Sequence, residues 1–154
     1  MKRVPTSGKP VFAGLLAALV LAACGGGQSP EDEIRALVAE AEKGAEARDL
    51  SDVMALVSDR YVDAQGQDKA AVRDIVGGYL LINQSIHLLT RVEDVKFPSD
   101  TIATARVTVG MLGQQDDAAG DWSLAADVYE FDLRFLKEGD QWRLQSASWR
   151  RARS

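Results

Sequence analysis

The spacing of apolar residues changes once along this chain, near Ser85, and that change restricts the fold more than any other feature. Upstream, Ile34, Leu37, Val38, Ala41 and Ala45 recur at three- and four-residue intervals, as one buried face of a helix requires. Ser29-Pro30-Glu31-Asp32 reads as its start, with Ser29 at the N-cap, Pro30 at the first helical position and acids at the positive end of the dipole. The stripe extends to about Arg48. A second, short helix is expected after Asp49, burying Leu50, Val53, Met54 and Val57, and Tyr61-Val62-Asp63-Ala64 reads as a short strand ended by a Gln65-Gly66 turn. Asp68 then caps a third helix with Val72, Ile75, Val76, Tyr79 and Leu80 as its stripe. Gly77-Gly78 inside it costs about 1 kcal/mol per glycine relative to alanine, which predicts a close packing contact or a bend.

Downstream of Ser85 the period is two. Ile86, Leu88, Thr90 and Val92 share one face of a long strand. After a Pro98-Ser99-Asp100 turn, Ala103, Ala105, Val107, Val109 and Met111 share a face of the next. A polar loop from Gly113 to Gly120 leads to a third strand with Tyr129, Phe131, Leu133 and Phe135 on one side and Glu130, Asp132 and Arg134 on the other. Lys137-Glu138-Gly139-Asp140 is a tight hairpin. In the last strand Trp142 and Leu144 are out of phase with Ala147 and Trp149, and a β-bulge near Gln145-Ser146 returns both pairs to one face while curving the sheet. Helices first and antiparallel strands afterwards make an α+β fold, with three N-terminal helices packed in the concave face of a curved antiparallel sheet.

This element order, with Arg48-Asp49-Leu50 between the first helices and Trp142-Arg143-Leu144 ahead of Trp149, resembles the nuclear transport factor 2-like (SnoaL-like) superfamily over about residues 30–150. The resemblance implies a cystatin-like α+β cone whose sheet wraps the helices and leaves a pocket at its open end. It implies little about activity, because the superfamily includes isomerases, dehydratases, hydrolases, transport factors and domains without known activity.

The amino end carries a different signal. Lys2, Arg3 and Lys9 precede thirteen apolar or small residues, Val11 to Ala23. That run is too short to cross a hydrocarbon core about 30 Å thick, which takes about 20 helical residues, and it has the layout of a secretory signal peptide. Leu21-Ala22-Ala23-Cys24 resembles a bacterial lipobox, which implies a diacylglycerol thioether on Cys24, cleavage after Ala23 and acylation, with palmitate among the chains. The expected division is a signal peptide over 1–23, a lipidated tether over 24–29 and the domain over 30–154. Gly25, rather than aspartate, after the cysteine implies the periplasmic face of the outer membrane rather than the inner membrane. A lone cysteine and a lone histidine leave no internal disulfide, CxxC centre or multi-histidine metal site. Of 18 basic residues the signal peptide removes Lys2, Arg3 and Lys9, so 15 face 23 acidic ones and the mature charge is −8. Such a surface excludes nucleic acid as a partner. Arg150, Arg151 and Arg153 form the one basic cluster, read as a solvated tail or a contact for anionic lipid head groups.

Pocket candidates are the inward-phased polar and amphipathic residues Asp127, Tyr129, Tyr61, Tyr79 and Trp142. Asp127 shares a face with Phe131 and Leu133, where a carboxylate among apolar groups is a candidate general acid or base. The competing reading places it at a fraying strand edge, in water. His87 alternates with Ile86 and Leu88 and is therefore expected on the outer surface with Arg91 and Glu93. Ketosteroid isomerase-like proteins place a tyrosine on an early helix, and no tyrosine here precedes Tyr61; dehydratase-like ones use a pocket histidine. No GxSxG, HExxH, GxGxxG or P-loop pattern occurs, so no cofactor is expected. The expected function is a membrane-anchored periplasmic lipoprotein with a non-catalytic cone for a small apolar ligand or a protein partner. The alternative is an isomerase- or dehydratase-like enzyme with Asp127 as base and Tyr61 or Tyr79 as hydrogen-bond donor. Arg106, Glu130, Asp132 and Arg134 on the outer sheet face oppose a large dry interface and suggest a monomer or weak dimer.

Overall fold

The computed structural model describes residues 27–116 and 122–152, with seven elements: α1 (Pro30–Glu46), α2 (Leu50–Ala55), α3 (Lys69–Ile82), β1 (Ser85–Ser99), β2 (Ile102–Asp116), β3 (Trp122–Glu138) and β4 (Gln141–Arg151). Cys24 and the apolar run before it lie outside the described residues, as does Arg153. No helix of the described residues is long and apolar enough to cross a membrane.

Each helix begins at the expected cap. Ser29 Oγ accepts the Asp32 N–H at 3.1 Å while Asp32 Oδ2 accepts the Ser29 N–H at 3.3 Å, a reciprocal pair that satisfies two groups the helix leaves open. Asp49 Oδ1 accepts from Asp52 N and Asp68 Oδ1 from Ala71 N, at 3.0 and 2.9 Å. α1 stops at Glu46, short of Arg48, because Arg48 takes a left-handed backbone (φ 58°) and turns the chain into α2. Its guanidinium then donates to Leu80 O from Nε at 3.1 Å and from Nη2 at 2.9 Å, tying the end of α1 to the end of α3. Tyr61–Ala64 is not a strand. Asp63 Oδ1 accepts the N–H groups of Gln65 and Gln67, both at 2.9 Å, which folds the segment into a turn with Gly66 at φ 77° and leaves only an isolated bridge between Val62 and Asp68.

The four strands form one antiparallel sheet in the order β1-β2-β3-β4. Leu144 lies opposite Phe135 and Ser146 opposite Arg134, so Gln145 is the extra residue of the expected bulge. A second irregularity, between Glu93 and Lys96 on β1, contains Asp94 at φ 46°. Both bend the sheet around the helices. β2 runs on to Asp116 and β3 starts at Trp122, so much of the segment expected as a polar loop is paired strand, with Asp116 opposite Trp122. Two apolar clusters hold the layers together. Ile34 and Val38 of α1 pack on Ala103, Ala105, Val107 and Phe135 of the sheet, with Trp142 at one end, and Met54, Val57 and Tyr61 pack on Ala147. Each fully buried large side chain contributes roughly 1.5–3 kcal/mol.

Candidate functional site

The three helices do not fill the sheet's concavity. α1 lies against β1, tied by Arg35 Nη1 to Val92 O at 3.0 Å and by Glu46 Oε1, which accepts the Leu88 N–H at 2.9 Å. α3 packs on α2 instead, close enough that a Cβ at Gly77 would lie 3.3 Å from Leu50 Cδ2, the close contact expected of the Gly77-Gly78 pair, while a Cβ at Gly78 would meet nothing within 4 Å. Between α3 and the sheet remains a cavity of about 550 Å³, within the roughly 300–1,000 Å³ range of small-ligand pockets. Its walls are mainly aliphatic and aromatic: Leu37, Ala41 and Ala45 from α1, Val72 and Val76 from α3, Val107, Val109 and Met111 from β2, Phe131 and Leu133 from β3. Half-exposed Ile75 and Trp149 also line it, which places its mouth between α3 and the β3–β4 pair.

Polar groups gather at that mouth. Asp127 lies within β3, paired with Met111 of β2 and two residues from Tyr129, which pairs with Arg151 of β4. It lines the cavity rather than a frayed edge, and its Oδ1 accepts from Arg151 Nη2. Tyr79 reaches the same region from α3. Burial first, then the proximity of Tyr129 and of the Asp127 carboxylate, holds the Tyr79 hydroxyl above the ordinary tyrosine range, so it stays protonated and able to donate at neutral pH. Tyr129, Phe131 and Trp149 continue the wall as a row of rings, with centroids 6.3 and 6.2 Å apart. On the α1 side, Glu42 accepts from Thr90 Oγ1, and fully buried Asn83 donates through Nδ2 to Tyr79 O at 2.8 Å while its Oδ1 has no partner.

Tyr61 also lines the cavity, but its hydroxyl is engaged: it donates to Asp63 Oδ2 at 3.5 Å and accepts the Ala147 N–H. Burial above all, then the Asp63 charge, pushes its pKa up to about 12. Trp142 does not line the cavity. It sits at the other end of the cone, Nε1 donating to Glu33 Oε2 at 2.8 Å, its ring 5.9 Å from that of Phe97 and 5.4 Å from Lys137 Nζ. His87 is exposed on the outer face. Arg150 and Arg151 are not a loose tail either, since they end β4 and pair with Glu130 and Asp132 and with Asp127. The outer face carries further pairs, Arg106 with Asp94 and Asp132. Among the described residues no three His, Cys, Asp or Glu side chains converge as metal ligands.

No family model and no curated protein sequence matches the chain. Solved structures do. A scytalone dehydratase-like protein of Novosphingobium aromaticivorans superposes with a TM-score of 0.71 at 12% identity, covering 80% of this chain and 84% of that one. A dehydratase-like member of the nuclear transport factor 2-like family from Streptomyces avermitilis gives 0.67 at 13% identity, covering 80% and 97%. The hexachlorocyclohexane dehydrochlorinase of Novosphingobium barchaimii gives 0.64 at 12%, covering 80% and 86%. At such identities the likeness concerns the fold alone. The chain adopts the nuclear transport factor 2-like, cystatin-like α+β cone.

Proposed function

We propose that the domain binds a small, largely apolar molecule inside the cone and is held at the periplasmic face of the outer membrane by acylated Cys24, as a monomer or weak dimer. The cavity carries this reading: about 550 Å³ of mainly apolar space, opening between α3 and the sheet. The anchor rests on the Leu21-Ala22-Ala23-Cys24 pattern. Pro30, where α1 starts, is six residues past Cys24, so the tether reaches at most about 20 Å and keeps the domain beside the bilayer. Several acyl chains, each methylene contributing about 0.8 kcal/mol, give an anchorage that one chain does not. Binding is tested with the neutral fluorophore N-phenyl-1-naphthylamine, for which saturable one-to-one uptake is expected. No saturable uptake, and no rise in melting temperature with the probe, removes the reading. For the anchor, metabolic palmitate labelling should mark the wild type and not Cys24→Ser; equal labelling of both sinks it.

A second reading is an isomerase- or dehydratase-like enzyme with Asp127 as general base. It is favoured by the meeting of Asp127, Tyr79 and Tyr129 at the mouth, and by the dehydratase-like names of the structural neighbours. Tyr79 is the donor in this scheme, because the Tyr61 hydroxyl is taken by Asp63 and Ala147. It requires a turnover that falls at least about 100-fold in Asp127→Asn while ligand affinity changes little, the signature of a lost proton transfer. Equal turnover by both proteins eliminates Asp127 as the base.

A further inference from the structure

The charges around the cavity say more about the occupant than its shape does. Among the described residues, the charged side chains that line it are Glu42 and Asp127; no lysine, arginine or histidine does. The other polar lining groups are neutral: the hydroxyls of Tyr61, Tyr79, Tyr129 and Thr90 and the amide of Asn83. The Asn83 side chain is fully buried and leaves Oδ1, an acceptor, without a partner. A ligand carboxylate placed here would meet two like charges. A ligand cation would meet two opposite ones and a wall of Tyr129, Phe131 and Trp149, whose ring faces attract positive charge.

Resting on the binding-cone reading, we infer that the cavity selects a lipophilic amine: a protonated ammonium head at the Asp127 end of the mouth, with its apolar body against the aliphatic walls. Among the described residues, Arg151 is the basic group in contact with a lining acid, donating to Asp127 Oδ1. Its side chain is 66% exposed, so this pair is solvent-screened and weakly held. The guanidinium is an exchangeable stand-in for the ligand's ammonium, which takes over the carboxylate while the ligand's body fills the cavity. This assigns Arg151 a gating part that opposes amine binding, and Glu42, bonded to Thr90 on the α1 side, a supporting charge.

The test compares three molecules of one chain length, decylammonium, decanol and decanoate, each titrated by calorimetry into the mature protein below its micelle concentration. Decylammonium is expected to bind at least about tenfold more tightly than decanoate, with decanol between them. Asp127→Asn and Glu42→Gln should each shrink that ratio, and Arg151→Gln should raise decylammonium affinity severalfold. Glu40→Gln, which removes an exposed acid on α1, should leave the ratio unchanged. Melting curves establish that each variant is folded. Decanoate binding as well as decylammonium overturns the amine assignment while leaving the binding cone in place. A preference lowered equally by Glu40→Gln overturns it too, since the acidic surface then explains the effect. If none of the three binds, including uncharged decanol, the binding-cone reading itself falls.

Discussion

Ala41→Leu puts the cavity itself to the test, because the sign of the stability change depends on whether space lies beside the α1 stripe. Ala41 lines the cavity between Leu37 and Ala45, and leucine forms helix nearly as well as alanine, so α1 itself is indifferent to the exchange. Three added carbons, at about 0.8 kcal/mol each, contribute about 2.4 kcal/mol if they enter apolar space. Fixing the leucine rotamer removes about 0.5–1 kcal/mol of that. The net expectation is stabilisation by about 1.5–2 kcal/mol, or roughly 6–8 °C in melting temperature for a domain of this size. Ala103→Leu is the paired control. Ala103 is fully buried in the α1–sheet cluster and does not line the cavity, so the same added carbons must displace packed atoms and cost about 1–3 kcal/mol. Urea denaturation measures both, with N-phenyl-1-naphthylamine affinity read alongside: it should fall in Ala41→Leu, whose side chain occupies the ligand's space. A destabilised Ala41→Leu, or one that binds the probe as the wild type does, would refute the vacant cavity.

Two further substitutions separate structural from ligand-facing residues. The Tyr61 hydroxyl is neutral in the fold up to about pH 12 but ionises near pH 10 in the unfolded chain. Its contribution is therefore complete below pH 10 and lost between pH 10 and 12, up to about 3 kcal/mol, because the unfolded state gives up the proton first; Tyr61→Phe should show a flatter stability curve over that window, and identical curves would contradict the buried hydroxyl. Trp142→Phe removes the donor to Glu33 and should cost about 2 kcal/mol in urea denaturation, since bonds to charged groups contribute roughly 1.5–3 kcal/mol, while probe affinity stays within about twofold. A large loss of affinity without loss of stability would return Trp142 to the pocket.

Periodicity told the strands' faces apart and was silent about depth along the cone. The change of period at Ser85, the caps at Ser29, Asp49 and Asp68 and the phase break that requires the Gln145 bulge are local facts, each decided within a few residues, and all are present in the fold. Tyr129 and Trp142 both point inward, yet one lies at the mouth and the other at the far end. What separates them is tertiary. α1, 17 residues and about 25 Å long, starts beside Trp142, where Glu33 meets the indole across 109 positions of chain, and ends beside β1 near Leu88 and Thr90. α3 is held off the sheet because Gly77 lets it sit close on Leu50 of α2. The cavity is the space that arrangement leaves. Asp127 acquires its character from the same long-range geometry: it lies two residues from Tyr129, which pairs with Arg151 of β4, and it meets the Arg151 guanidinium. Alternation alone shows a carboxylate facing in; only the packing of α3 on α2, away from the sheet, shows that it lines a cavity, where on the amine-binding proposal an incoming cation competes for it.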